Sequence, residues 1–151
     1  MTVLREWDVP ADIEGYMQMY GAYIREEGSP VMLAYLNTGE ARQGILAAFR
    51  REERPCRCWQ ITEDDNVRGF LTIRYDPDSV WLADFYVFAE DRNRGIGTAA
   101  LKEFISLHRG KAIRLTPSPK AVTLYRRFGF EPTDTCSEDN GQVIWELKGE
   151  N

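Results

Sequence analysis

A short segment rich in arginine and glycine, RNRGIG at residues 92–97, has the composition of a pyrophosphate-binding loop. It follows an apolar strand pattern and precedes a helical one, so its glycines lie where a helix begins. The first N–H groups of a helix are unpaired and carry partial positive charge, which favours a bound phosphate. Gly95 and Gly97 leave those N–H groups open, while Arg92 and Arg94 add formal positive charge. The sequence therefore predicts that a pyrophosphate binds here.

Two common nucleotide-binding loops do not fit this segment. No Lys followed by Ser or Thr comes after the glycines, which excludes a Walker-type loop. The string GIGTAA fits the looser dinucleotide pattern, but that pattern needs an acid about 20 residues further on. No Asp or Glu lies between Glu103 and Glu131, and only residues 98–151 remain to build the rest of such a domain. Both interpretations are rejected.

A second motif, together with this loop, resembles the GNAT superfamily of N-acetyltransferases. The family pattern Gln/Arg-x-x-Gly-x-Gly/Ala is similar to residues 92–97, which follow a strand containing Phe85-Tyr86-Val87. The family pattern Asn-x-x-Ala-x-x-Leu-Tyr-x-x-x-Gly-Phe is similar to SPKAVTLYRRFGF at residues 118–130, with Ser118 at the usual Asn position. Both motifs occur in order and correctly spaced, so the resemblance covers about residues 58–147.

The resemblance implies an enzyme that takes acetyl-CoA as co-substrate and uses no metal. It implies that pantetheine pairs with the backbone of the strand, and that the N–H of Val87 polarises the thioester carbonyl. Tyr125 lies where the family places a proton donor to the departing thiolate; the alternative is a helix tyrosine that only packs in the core. The residues expected to bind the cofactor are Phe85, Tyr86, Val87, Arg92, Asn93, Arg94, Gly95, Ile96, Gly97, Thr98, Ser118 and Lys120.

The general base is expected to be Asp84, acting through water. An attacking ammonium must lose a proton, and Asp84 lies mid-strand on the face opposite Phe85 and Val87, together with Leu82. A lone carboxylate there is costly unless it is solvated or paired. The alternatives are an ordinary strand acid at this position and a base supplied by the acids at 26 and 27.

Acidic residues are concentrated in two segments that the resemblance places around the acceptor site. Residues 1–40 hold two basic and seven acidic residues, a net charge of −5 that equals that of the whole chain. Residues 131–141 hold four acids and no basic residue. Acidic walls attract cations, so we predict a cationic small-molecule amine bound by Glu26, Glu27, Glu138 and Asp139. The alternatives are acids that serve solubility only, a protein or peptide acceptor, and a non-catalytic acyl-CoA-binding sensor.

These residues require a scaffold of alternating strands and helices. The periodicity predicts one α/β domain over residues 1–151, with strands at 2–7, 58–62, 67–75, 80–88, 112–115 and 143–147 and helices at 10–24, 40–53, 99–109 and 120–128. The resemblance implies a GNAT-like mixed sheet of about six or seven strands with about four helices and a splayed strand pair at the cofactor cleft. Residues 1–55 should form the variable acceptor side and residues 56–151 the cofactor-binding core.

The composition restricts the remaining possibilities. A chain of 151 residues with 43% hydrophobic and 28% charged residues is typical of one globular domain. A net charge of −5 argues against nucleic-acid binding. The sequence has no apolar stretch of bilayer length and begins without a signal-peptide pattern, so we expect a cytoplasmic protein with no membrane partner. Three cysteines and one histidine do not form a recognisable metal motif, and either a monomer or a homodimer is compatible with the sequence.

Overall fold

Seven strands form one mixed sheet in the computed structural model, which describes residues 1–149. The order across the sheet is β1-β2-β3-β4-β5-β7-β6, and β4 and β5 are its parallel pair. The strands are β1 (Thr2–Trp7), β2 (Cys56–Glu63), β3 (Asn66–Tyr75), β4 (Ser79–Val87), β5 (Ala112–Leu115), β6 (Glu131–Cys136) and β7 (Val143–Leu147). The predicted mixed sheet is confirmed, with seven strands.

Residues 1–149 contain five α-helices, one more than the sequence patterns predict. They are α1 (Ile13–Glu27), α2 (Pro30–Leu36), α3 (Gly39–Arg50), α4 (Ile96–Leu107) and α5 (Val122–Arg127). The additional helix is α2, which begins at the predicted interruption because the Ser29 hydroxyl caps it and a proline is favoured at the first helical position. Within residues 1–149 no helix is long and apolar enough to cross a membrane.

Strand β6 (Glu131–Cys136) lies where the sequence patterns predict no strand. It pairs with β7 at the edge of the sheet, and most of its side chains are exposed. A polar edge strand that includes a proline is a common way to prevent further strand pairing. It carries no apolar alternation, which explains why the sequence pattern did not reveal it.

Each face of the sheet is covered by a different set of helices. The α4 and α5 side buries the larger core, which includes Ile61, Leu71, Val80, Leu101, Phe104 and Phe130. The opposite side packs against α1 and α3 through an aromatic cluster that includes Tyr16, Phe49, Phe70 and Tyr86. Helix α4, which follows the loop at residues 92–97, therefore lies on one face, while α1 covers the other.

A β-bulge in β4 changes which side chains share a face. Thr72 of β3 lies opposite Asp84, but the next residue, Ile73, lies opposite Leu82, so Ala83 is the extra residue. Leu82 therefore packs in the same core as Val87, on the α4 side. The prediction that Leu82 shares the face of Asp84 was wrong, because strict alternation does not hold across a bulge.

The parallel strands β4 and β5 separate just before the bulge. Their pairing ends at Trp81 and Arg114, although β4 continues for another six residues to Val87. The edge of β4 that faces β5 therefore has no strand partner over this length. This confirms the expected splayed pair, and the opening between the two strands is where the site is built.

Candidate active site

The free edge of β4 presents backbone groups of two alternate residues. The N–H of Phe88 donates to the carbonyl of Arg68 at 2.8 Å, so the backbone groups of residues 86 and 88 face β3. By the alternation of a strand, those of Phe85 and Val87 face the opening. The carbonyl of Val87 accepts from Arg92 Nε at 3.0 Å, whereas its N–H has no partner within residues 1–149. An extended amide-containing ligand can pair with this edge.

The loop between β4 and α4 presents the N-terminus of a long helix to the same opening. Gly95 adopts a left-handed φ of 80° just before α4, and the buried Ile96 anchors the first turn. Among the described residues no side chain caps α4, so its first N–H groups are left to a ligand. A Cβ on Gly97 would lie 3.6 Å from the Phe85 ring and 3.7 Å from the Val87 side chain, which places this turn directly against the free edge.

A cleft of about 590 Å³, the cofactor cleft, joins these two features. The α5 side contributes Arg127, a cation that the sequence analysis missed although it lies within the second motif. The end of α1 contributes Tyr23, also missed, because its helical position resembles that of a core residue. The sequence-predicted residues that line the cleft are Glu26, Glu27, Phe85, Tyr86, Val87, Arg92, Asn93, Gly95, Ile96, Gly97, Thr98, Ser118 and Lys120.

The two arginines of the loop have different surroundings. Arg92 lines the cleft, forms an ion pair with Glu26 of α1 and lies 5.4 Å from the centre of the Tyr86 ring. Arg94 is absent from the lining, because its guanidinium donates to Asp91 and Glu63 on the other side of the loop. The structure therefore does not bring Arg94 to the predicted pyrophosphate position, and the cations at the cleft are Arg92, Lys120 and Arg127.

A second cavity of about 350 Å³, the acceptor cleft, adjoins the first at Phe85 and Ser118. Tyr125 lines it while its ring packs 5.4 Å from that of Phe130, so the side chain has both a core and a cleft contact. Burial raises the pKa of Tyr125 well above its usual value, which keeps the phenol protonated. Glu27 supplies the cleft's one ionisable carboxylate among the described residues.

Asp84 lies next to this cleft, beneath the tyrosines of α1. Burial raises the pKa of Asp84 to about 7, and a hydrogen bond with the Thr72 side chain opposes part of that rise. Protein atoms surround the carboxyl group closely, yet the residue retains some solvent exposure, as expected at the bottom of a cleft. Asp84 does not line the acceptor cleft itself, whereas its neighbours Ala83 and Phe85 do. A proton path from the cleft to Asp84 therefore needs a bridging water.

The turn before β7 contributes amides to the acceptor cleft. Asn140 and Gln142 line it, and Asn140 donates to the Thr116 hydroxyl at 3.4 Å. Glu138 and Asp139 are exposed in the same turn but do not line the cleft. Within residues 1–149, no cluster of three or more His, Cys, Asp or Glu side chains has an arrangement that could hold a metal ion.

Comparisons with known proteins agree with this arrangement. The model of the acetyltransferase (GNAT) family matches residues 15–130. PaiA N-acetyltransferase from Thermoplasma acidophilum, solved in complex with coenzyme A, matches with a TM-score of 0.72 and 16% identity over 98% of this chain and 99% of that one. Ard1 from Thermoplasma volcanium matches with a TM-score of 0.64 and 23% identity over 99% of both chains. At these identities the structures show a shared fold. No curated protein sequence gives a significant match.

Gly97→Val should weaken acetyl-CoA binding by about tenfold or more, because its branched side chain would enter the space between the first turn of α4 and the Phe85 and Val87 side chains, which line the cofactor cleft. The fold should survive, since a Cβ at Gly97 meets only ordinary contact distances. Isothermal titration calorimetry measures the affinity. Gly39→Val, in the first turn of α3 with open space around it, is the matched control and should bind normally. Unchanged affinity in folded Gly97→Val would refute the assignment of this loop.

Asp84→Asn should stabilise the protein at pH 8 by roughly 1–3 kcal/mol, less than the full pKa shift because Asp84 keeps some solvent contact. The folded pKa of about 7 lies above the unfolded value, so the native carboxyl binds its proton first as the pH falls. The gain should be absent near pH 4, grow between pH 4 and 7 as the unfolded chain ionises, and then level off. Urea unfolding at several pH values measures it.

Asp78→Asn is the control for this measurement, because that carboxylate is largely exposed on the turn before β4. It should show no comparable gain between pH 4 and 8. If Asp84→Asn behaves in the same way as Asp78→Asn, the Asp84 carboxyl is solvated and its pKa is not raised.

Proposed function

Because the chain belongs to the GNAT acetyltransferase family, we propose that it transfers an acetyl group from acetyl-CoA to an amine by direct attack within a ternary complex. The observation that carries this proposal is the free edge of β4 lying against the uncapped N-terminus of α4. A pyrophosphate with a long amide-containing arm fits these two features together. The PaiA structure contains coenzyme A in the same fold, which supports the choice of donor.

The residues present fit acetyl-CoA in three places. The first N–H groups of α4, with Arg92, Lys120 and Arg127 nearby, suit the pyrophosphate. The backbone groups of Phe85 suit the pantetheine amides, and the N–H of Val87 suits the oxygen that becomes negative in the transition state. Acetyl-CoA supplies a thioester, whose acyl carbon accepts a nucleophile and whose thiolate departs.

Two side chains handle the protons. Asp84 receives, through water, the proton that the attacking ammonium must lose, and its pKa of about 7 suits that role near neutral pH. As the new N–C bond forms and the C–S bond breaks, the Tyr125 hydroxyl donates a hydrogen bond to the sulfur. Because its pKa is raised, Tyr125 always carries this proton. The attacking nitrogen releases a second proton as the amide forms, and this proton balances the one delivered to the thiolate, so Tyr125 ends the reaction as a phenol.

The acceptor cleft favours a cationic amine. Glu27 lies in the last turn of α1, where the helix dipole already makes a carboxylate unfavourable, and residues 1–149 provide it with no ion pair. A bound ammonium group would relieve this repulsion. Glu26 contributes less, since Arg92 neutralises it. Glu138 and Asp139 lie at the surface, where they attract a cation over distance but do not contact one inside the cleft.

A thiol-release assay with acetyl-CoA tests the activity against polyamines, aminoglycosides, amino acids and short peptides. Free thiol should appear only with a suitable amine, and Tyr125→Phe should lower kcat by about 10²–10⁴-fold, as for other general acids. Acetyl-CoA affinity should stay within about twofold, because the substitution removes one donor and little volume. A kcat loss below about threefold would assign the protonation of sulfur to water. Thermal stabilisation by acetyl-CoA without thiol release for any amine would indicate a sensor.

The charge of the acceptor is tested by the salt dependence of kcat/KM. For a cationic amine kcat/KM should fall as ionic strength rises, and Glu27→Gln should lower it by about tenfold at low salt. Glu138→Gln with Asp139→Asn should reduce the salt slope. Glu52→Gln with Glu53→Gln removes two exposed acids distant from both clefts, so this control should leave the slope unchanged. A neutral or anionic best acceptor, or a flat slope in the parent protein, would contradict the proposal.

A further inference from the structure

Four charged side chains form a closed network behind the loop that precedes α4. Arg94 donates to Glu63 at 2.7 Å and to Asp91 at 3.0 Å. Arg68 approaches the same two carboxylates, at 3.6 Å from Glu63 and 3.3 Å from Asp91. Each acid thus contacts both arginines, and the charges sum to zero. We call this set, Glu63, Arg68, Asp91 and Arg94, the anchoring network.

The members of the anchoring network come from four different parts of the chain. Glu63 ends β2, Arg68 lies early in β3, Asp91 closes a 3-10 turn and Arg94 belongs to the loop itself. The carbonyl of Arg68 also accepts from the N–H of Phe88, which ties the end of β4 to the same strand. The network therefore fixes the loop to the β2–β3 hairpin, with Asp91 in the lining of the cofactor cleft and the other three members outside it.

Asp91 is the member that requires an explanation. Only 4% of its surface is exposed, and a buried carboxylate is costly unless it is paired. Asp91 itself lines the cofactor cleft, but both of its arginine partners are absent from the cleft lining, so its ion pairs point to the other side of the loop. A neutral residue would fill this position at a lower desolvation cost. The charge of Asp91 therefore holds its two arginine partners in an arrangement that a neutral residue would not hold.

The conformation of the loop shows what has to be held. Asn93 and Gly95 have φ angles of 62° and 80°, so Arg94 lies between two left-handed residues. Left-handed backbone is unfavourable outside glycine and is retained when the surroundings determine it. The N–H groups that follow must point into the cleft before a ligand arrives, since ordering them on binding would reduce affinity.

We propose that Asp91, Arg68 and Glu63 are positioning residues for the pyrophosphate loop, and that Arg94 acts with them from behind the loop instead of contacting phosphate. Arg94 thus holds the α4 N–H groups in their binding geometry through its ion pairs. This inference rests on the proposed use of acetyl-CoA. It assigns the network the role of positioning the loop, in addition to the direct contacts that other residues make with the ligand.

Asp91→Asn tests the proposal with two acetyl donors, one that contains a pyrophosphate and one that lacks it. The variant should raise the KM and the Kd for acetyl-CoA by about tenfold, while kcat at saturation stays within about twofold. With S-acetylpantetheine, which lacks the pyrophosphate, kcat/KM should stay within about twofold of the parent value. An equal loss with both donors, or no loss with acetyl-CoA, would overturn the proposal.

Asp76→Asn is the matched control. Asp76 likewise accepts from two arginines, Arg54 at 2.9 Å and Arg74 at 2.8 Å, but it lies at the opposite end of β3 and outside the cofactor cleft. Asp76→Asn should change thermal stability without changing the ratio of kcat/KM for acetyl-CoA to kcat/KM for S-acetylpantetheine. A change of that ratio equal to the one in Asp91→Asn would show that the ratio reports general destabilisation.

A double-mutant cycle of Asp91→Asn and Arg94→Gln shows whether Arg94 supports the loop through Asp91 or contacts the ligand directly. Arg94 is about half exposed, so its replacement should leave the protein folded even if Asp91→Asn does not fold. If Arg94 acts through Asp91, the losses of acetyl-CoA affinity should not add in the double variant. Additive losses, or a loss with Arg94→Gln alone that S-acetylpantetheine shares, would refute the proposal. A parent protein that does not bind acetyl-CoA would instead refute the proposed function.

Discussion

The free edge of β4 is the feature on which the rest of the site depends. Backbone N–H and C=O groups need partners, and β4 loses its partner strand after Trp81 while it continues to Val87. The bulge at Ala83 lies where the pairing ends, and it places Val80, Leu82 and Val87 together in the core on the α4 side. The edge therefore stays open while the strand stays anchored, which is the combination that a ligand with amide groups requires.

The charged groups around this edge differ between the cofactor cleft and the acceptor cleft. Close to the cofactor cleft the loop arginines are paired, Arg92 with Glu26 and Arg94 within the anchoring network, so the uncapped α4 N–H groups, with Lys120 and Arg127 nearby, are left for an anion. On the acceptor side, Glu27 has no ion pair within residues 1–149 and Asp84 is desolvated. A ligand that is anionic at one end and meets a cationic partner at the other matches this separation.

The sequence predicted the parts of the site that depend on local motifs. The loop, the helix after it and Tyr125 occupy the expected positions, because short-range glycine placement and helical periodicity determine them. The bulge was not predictable, since an extra residue leaves no sign in an alternating pattern. Strand β6 escaped because its residues are polar, and the ion pairs of Arg94 depend on Glu63 and Arg68, which are distant in sequence.

The most direct test of the account follows individual backbone amides by hydrogen exchange with and without acetyl-CoA. The N–H groups of Val87 and of the first turn of α4 have no partner in the described part of the chain and should exchange at least about tenfold more slowly when the ligand is bound. Those of Tyr86 and Phe88, which face β3, should change little and serve as internal controls. If acetyl-CoA binds but leaves Val87 and Gly97 unprotected, the ligand does not use the free edge of β4 and the account is wrong.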